Sequence, residues 1–230
     1  MFRSDIDGVT DVPVVGEILQ SKSKEIIAIN EGKRTIVAEQ FRVLRTNLNF
    51  MGFDQNNNTL LITSAISGEG KSFVSLNLAI SLTLTGKKVA LLEMDLRKPK
   101  LSEALNMNKE PGISNYLINQ ANREQIIKPT AYSNLFLVSS GSLPPNPTEL
   151  IGRNEFSELI SYLKNQFDYV HALEIQGAGY LVNESLRKIN HKPKLILTNW
   201  GSDIFYFRHI PEDLVRIKSV LSKSDYYSAE

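Results

Sequence analysis

The sequence predicts an α/β protein, a mostly parallel sheet flanked by helices on both faces. Three observations point there. Short apolar runs of strand length alternate with helical stretches along most of the chain, and such alternation implies crossover connections between parallel strands. A Gly-rich turn, Gly68-Glu69-Gly70, joins one apolar run to one long helical stretch. With 230 residues, 42% of them hydrophobic, the chain can bury a core of this kind without covalent staples.

Composition excludes several function classes. Lys and Arg total 26 against 25 Asp and Glu, a net charge of +1, so no global field draws in nucleic acid. Cysteine is absent, which removes disulfides and thiolate metal sites and suits a reducing compartment. His171, His191 and His209 are widely separated and do not suggest a His-rich metal site. No apolar run approaches the ~20 residues of a membrane span, and the N-terminus lacks a signal-peptide core. The expectation is a soluble, cytoplasmic chain.

Residues 1–35 read as an arm, with Thr10 to Leu19 an extended piece bounded by Pro and Gly and a polar linker at Ser21–Lys24. The main domain is expected over 36–223. Val37, Phe41, Leu44, Leu48 and Met51 recur on one face of a helix over 36–51. Glu39, Arg42 and Arg45 lie on its other side, as a solvated charged face or a subunit contact. After an Asn-rich loop, Leu60–Ser64 reads as a buried strand. A helix over 71–85 is apolar almost all round, so it should be buried against the sheet, with Gly86 closing it.

Lys88–Asp95 is the second strand, ending in acids, and Leu96–Lys100 a basic turn. Short helices follow near 101–105, 112–117 and 124–127. Leu135–Ser139 is a third strand. Asn146, Pro147 and Glu149 suit a helix start. Phe156, Leu159, Ile160, Leu163 and Phe167 line an amphipathic helix, and Tyr169–Leu173 a strand. Val182–Ile189 and Pro211–Leu221 read as helices around a strand at Lys194–Thr198. The tail, 224–230, reads as disordered.

The chemistry centres on Ala65-Ile66-Ser67-Gly68-Glu69-Gly70-Lys71-Ser72. It fits the phosphate-loop pattern except for Ala65 in place of the first glycine, and it follows a strand and opens a helix, as that motif requires. Such an arrangement makes the fold P-loop NTPase-like. Ser67, Gly68, Glu69, Gly70 and Phe73 would surround the phosphates, Lys71 would reach them, and Ser72 would ligate Mg²⁺. ATP and Mg²⁺ are the expected ligands. Asp95, at the end of the next strand, is the leading metal acid, and Glu93 would point the same way if the strand continues. One could hold the metal while the other orients a hydroxyl. Arg97 and Lys98 could stabilise a transferring phosphate or be solvated. A second acid normally follows a hydrophobic strand. Here Tyr169–Leu173 leads to Glu174, with His171 interrupting the apolar run.

Several blocks in order resemble the cytoplasmic catalytic domain of the bacterial tyrosine kinases of capsular and exopolysaccharide export. They are Pro13-Val14-Val15-Gly16-Glu17-Ile18, Glu39-x-x-Arg42-x-x-Arg45, Ser67–Ser72, Leu91–Pro99, Gly141–Leu150 and Phe167-Asp168-Tyr169-Val170. The resemblance covers roughly residues 10–170. It implies a tyrosine autokinase assembled as a ring through Glu39, Arg42 and Arg45, with Tyr226 and Tyr227 as acceptors on a neighbour's tail. Lys71, Asp95, Glu93 and Glu174 would be catalytic, and Asn199 resembles the asparagine that faces the base in related ATPases. It also implies a membrane activator or transmembrane chain-length regulator as partner, and inner-membrane association through that partner or a missing N-terminal region. The chain departs from the family where Glu93 replaces an Asp and where His171-Ala172-Leu173-Glu174 degrades the distal Walker B motif. A weakly catalytic nucleotide-binding scaffold is therefore the alternative. A positioning ATPase is disfavoured by Ile66, where that class carries a signature lysine.

Overall fold

The computed structural model describes residues 13–20, 25–29, 34–53, 58–63, 70–95, 99–142, 150, 153–173, 194–199 and 226–229. In chain order the elements are β1 (Val14–Glu17), α1 (Ile36–Phe50), β2 (Thr59–Thr63), α2 (Lys71–Thr83), β3 (Val89–Glu93), α3 (Leu101–Ala104), α4 (Ile113–Leu117), α5 (Arg123–Ile126), β4 (Ile127–Pro129), β5 (Leu135–Val138), α6 (Asn154–Gln166), β6 (Tyr169–Leu173), β7 (Lys194–Asn199) and β8 (Tyr226–Ala229). They build an eight-stranded sheet in the order β1-β8-β7-β2-β6-β3-β5-β4. Every described pairing is parallel except β4 with β5.

Successive strand residues face opposite sides, and two cores result. On one side Leu60 and Ile62 of β2 and Val89 and Leu91 of β3 pack under α1 and α2. On the other, Leu61, Ala90 and Leu92 pack against Ile113 and Leu117 of α4 and Leu159 and Leu163 of α6. Helix α1 starts at Thr35, whose hydroxyl accepts from Ala38 N at 3.1 Å. Its Ala38, Phe41, Leu44 and Leu48 are buried, the face the periodicity picks out. In α2 every residue from Val74 to Thr83 is buried, as its all-round apolar character requires. Asp168 fixes the register at the other end of the sheet. Its Oδ2 accepts from Lys88 N at 2.8 Å, and its own N–H donates to Lys88 O at 2.9 Å. Among the described residues no helix is long and apolar enough to cross a membrane.

Two expectations change. The segment after α5 turns into β4, which pairs antiparallel with β5. The tail does not stay disordered, for Tyr226–Ala229 forms β8 between β1 and β7. Paired aromatics suit a strand, and ladders on both sides supply the hydrogen bonds that so short and polar a segment cannot make alone. The helices expected at 182–189 and 211–221, and the helix start expected at Asn146, Pro147 and Glu149, lie outside the described residues.

His171 is fully buried on β6, opposite Leu60 and Leu91, and neither ring nitrogen has a hydrogen-bond partner among the described residues. Burial pushes its pKa down to about 3. The folded imidazole thus stays neutral where the unfolded one, near 6.5, takes a proton. Its stability cost is absent above pH 6.5 and grows as pH falls toward 3. Between pH 6.5 and 5 the native state should lose about 2 kcal/mol through this residue. Urea unfolding at pH 7.5 and pH 5 should show that loss in the parent and its removal in His171→Leu.

Candidate functional site

The site lies where β2, β6 and β3 end together. Ile62 and Glu93 are each level with Leu173 of β6, so the loop after β2 and the acids after β3 emerge at the same sheet edge, with β6 between them. Ligands of parallel α/β sheets collect at this edge. On the other side of β2, β7 carries Asn199 to it, two positions past Leu197, which is level with Thr63.

Gly70 enters α2 at φ 80°, the left-handed region that favours glycine, and no side chain caps the helix there. The positive end of the dipole of this thirteen-residue helix, with its first-turn amides, lies at that edge. Lys71, the first helical residue, is only 7% exposed, an unusual burial for an ammonium. Ser72 is half-buried beside it. The Phe73 ring turns away and packs on Phe41 at 5.7 Å between centroids, leaving its backbone N–H as what it could offer a phosphate. Ser67, Gly68, Glu69, Arg97 and Glu174 lie outside the described residues.

The two acids at the end of β3 sit in different surroundings. The strand ends at Glu93, so strand alternation does not extend to Asp95. Asp95 is half-buried. Glu93 is fully buried, and its carboxylate accepts from Leu101 N at 2.6 Å, Ser102 N at 3.1 Å, Ser102 Oγ at 2.9 Å and Ser140 N at 3.3 Å.

The charged residues of α1 separate as well. Arg42 pairs with Glu39 of its own helix, whereas Arg45 reaches across to α2 and donates to Ser81 O and, at 3.1 Å, to Ser81 Oγ. Tyr226 and Tyr227 lie in β8, level with Ile196 and Leu197 of β7.

One residue the sequence reading passed over fastens the arm to the site. Asn77, fully buried in α2, accepts from Ala28 N at 2.7 Å and Ile29 N at 3.2 Å. It donates to Ile26 O and Phe73 O, each at 2.8 Å. An amide in the middle of an apolar helix was the available signal, since a buried amide requires partners.

These features define a P-loop nucleotide-binding domain. A family model described as ParA: NUBPL iron-transfer P-loop NTPase matches residues 55–170. The tyrosine-protein kinase CpsD of Streptococcus agalactiae is 38% identical over 171 residues, 74% of this chain and 70% of that protein. The tyrosine-protein kinase YwqD of Bacillus subtilis (strain 168) is 37% identical over 136 residues, 59% of this chain and 57% of its own length. The crystal structure of the chimerical protein CapA2B2 shares the fold, with a TM-score of 0.82 at 23% identity, over 99% of this chain and 98% of that one. The chain belongs to the bacterial tyrosine-protein kinase family. It spans just over half, 57%, of the length of the Bacillus relative.

Asn77→Ala strands three backbone groups of the arm. It should cost about 2 to 4 kcal/mol in urea unfolding and speed amide exchange at Ala28 and Ile29 more than within β3. Unchanged exchange at those two amides would show that the arm is held by other contacts.

Proposed function

We propose that the chain is an Mg-ATP-dependent protein-tyrosine kinase that phosphorylates copies of itself and thereby regulates exopolysaccharide or capsule export. The observation that carries this reading is the start of α2 at a left-handed Gly70 with no side-chain N-cap, with buried Lys71 beside it and Asp95 at the same sheet edge. An uncapped helix start and a buried ammonium suit polyphosphate. Among the described residues no cluster of three or more His, Cys, Asp or Glu could cage a metal. That donor set fits Mg²⁺, which takes one or two protein oxygens and completes its shell with phosphate and water.

In this reading Lys71 and the α2 amides would hold the β- and γ-phosphates, while Ser72 and Asp95 would hold Mg²⁺, which would supply charge neutralisation at the transferring phosphoryl group. Arg97 adds a second cation, and Asn199 faces the base. The tyrosine oxygen bonds to the γ-phosphorus as the bond from that phosphorus to the bridging oxygen breaks. ADP leaves, and the phenolic proton passes to an acid near the metal, for which Glu174 is the candidate. Lys71→Ala should lower phosphotyrosine at least a hundredfold, roughly what a charge-stabilising group contributes, and should abolish binding of a fluorescent ATP analogue. Phosphotyrosine immunoblots of purified protein with Mg-ATP, alone and with a membrane activator segment, read the first effect. ATP binding by the parent with no phosphotyrosine in either condition would replace the kinase by a nucleotide-binding scaffold. That second reading draws on the full engagement of Glu93 and on the position of the acceptor tyrosines.

Tyr226 and Tyr227 are the acceptors in this reading. Because β8 pairs with both β1 and β7, it must leave the sheet to reach a neighbour's Lys71. Self-association runs through α1. Ile36, Val43 and Phe50 recur every seventh residue and are 70%, 56% and 86% exposed, an apolar stripe beside Glu39 and Arg42 of the kind that packs against another helix. A separate transmembrane partner, or a segment outside this sequence, brings the assembly to the inner membrane. Light scattering should give a multimer for the parent and a smaller species for Phe50→Ser/Arg42→Ala with unchanged circular dichroism. A parent that is monomeric at every salt concentration would refute the ring.

A further inference from the structure

We propose that Glu93 is a positioning residue, a buried clasp that holds the segment carrying Asp95 in place. It neither ligates metal nor accepts a proton. The inference rests on the reading of Asp95 as the metal acid. An ionised carboxylate offers about four lone-pair positions, and Glu93 has four donors on it: Leu101 N and Ser102 N on Oε1, Ser102 Oγ and Ser140 N on Oε2. Its side chain is fully buried. Turning it toward a metal would strand three buried backbone N–H groups together with the Ser102 hydroxyl.

The donors come from two places far apart along the chain. Leu101 and Ser102 begin α3, eight and nine residues beyond Glu93. Ser140 follows β5, and its carbonyl accepts from Ser114 N of α4 at 3.0 Å. Next to it Ser139 O accepts from Ile113 N at 2.8 Å. The packing leaves no slack, for a Cβ on Gly112 would lie 2.3 Å from Gly141 N. Glu93 thus ties the end of β3 both to the start of α3 and to a stiff platform formed by α4 and the chain after β5. Asp95 lies inside the closed span between Glu93 and Leu101, so the clasp limits where its carboxylate can be.

The test uses the full chain as E93Q, D95N and the double variant E93Q/D95N. Glutamine matches glutamate in size but accepts at one end only, so its NH₂ faces donors. Three quantities are measured: amide exchange at Leu101, Ser102 and Ser140; binding of a fluorescent ATP analogue without metal; and Mn²⁺ affinity in the presence of ATP by electron paramagnetic resonance. E93Q should speed exchange at the three amides, leave metal-free nucleotide binding unchanged, and weaken Mn²⁺ about tenfold, the lower end of what loss of an orienting partner does to a metal site. In the double variant it should weaken Mn²⁺ no further than D95N does alone, since its effect passes through Asp95. Unchanged amide exchange with Mn²⁺ binding abolished would make Glu93 a ligand and overturn the proposal, as would fully additive losses in the double variant. If D95N leaves Mn²⁺ affinity intact, the reading of Asp95 fails, whereas the clasp itself stands or falls on exchange at Leu101, Ser102 and Ser140.

Discussion

Helix α2 is buried from Val74 through Thr83, and the rest of the structure depends on that burial. A helix enclosed along its length must find internal partners for its polar side chains. Asn77 spends its amide on residues 26–29 and on Phe73 O. Ser81 receives Arg45 of α1. These two polar positions fasten the arm and α1 to the helix, and the Phe41 to Phe73 ring contact closes the same interface near the start of α2. The helix begins at Gly70, where its dipole meets the sheet edge.

Local spacing made the glycine start of α2 and the cores of α1, α2 and α6 legible, because glycine placement and 3.6-residue periodicity are both local signals. Arg45 was harder to read. At about 100° per residue it sits about 40° from buried Phe41, at the margin of the packed face, so it bonds to α2 instead of facing outward with Glu39. The exposed stripe of Ile36, Val43 and Phe50 lies within about 60° of Glu39 on the same wheel, the part of the helix that the core does not claim. Asn77 and Glu93 were illegible in role because their partners are backbone groups brought in by tertiary folding. The strand at Tyr226–Ala229 was hidden by the polar residues around it, and its stability comes from β1 and β7.

Parallel pairing explains why residues distant in sequence meet at one edge. Strand β6 lies between β2 and β3, so the loop bearing Lys71 and the segment bearing Asp95 are separated by one strand. The residue leaving β6, Glu174, follows the strand that ends between them. The buried His171 in the same strand draws on stability, since an apolar residue at that position would lie between Leu60 and Leu91 without the cost of desolvating an imidazole.

Lys71 and Asp95 are positioned by different parts of the protein. Lys71 is set by α2 and by the core it shares with α1. The segment holding Asp95 is bounded by Glu93, whose partners reach both cores: Leu101 belongs to the core under α1 and α2, and through Ser140 and Ser114 the clasp reaches α4, whose Ile113 belongs to the other. One buried carboxylate therefore joins the two layers around the end of β3. An acid in that position contributes more as an acceptor than as a ligand, because three backbone amides from two segments converge on it and no other described side chain accepts from them. The placement of Asp95 relative to Lys71 then depends on both cores at once, and packing changes on either face of the sheet are felt at this edge.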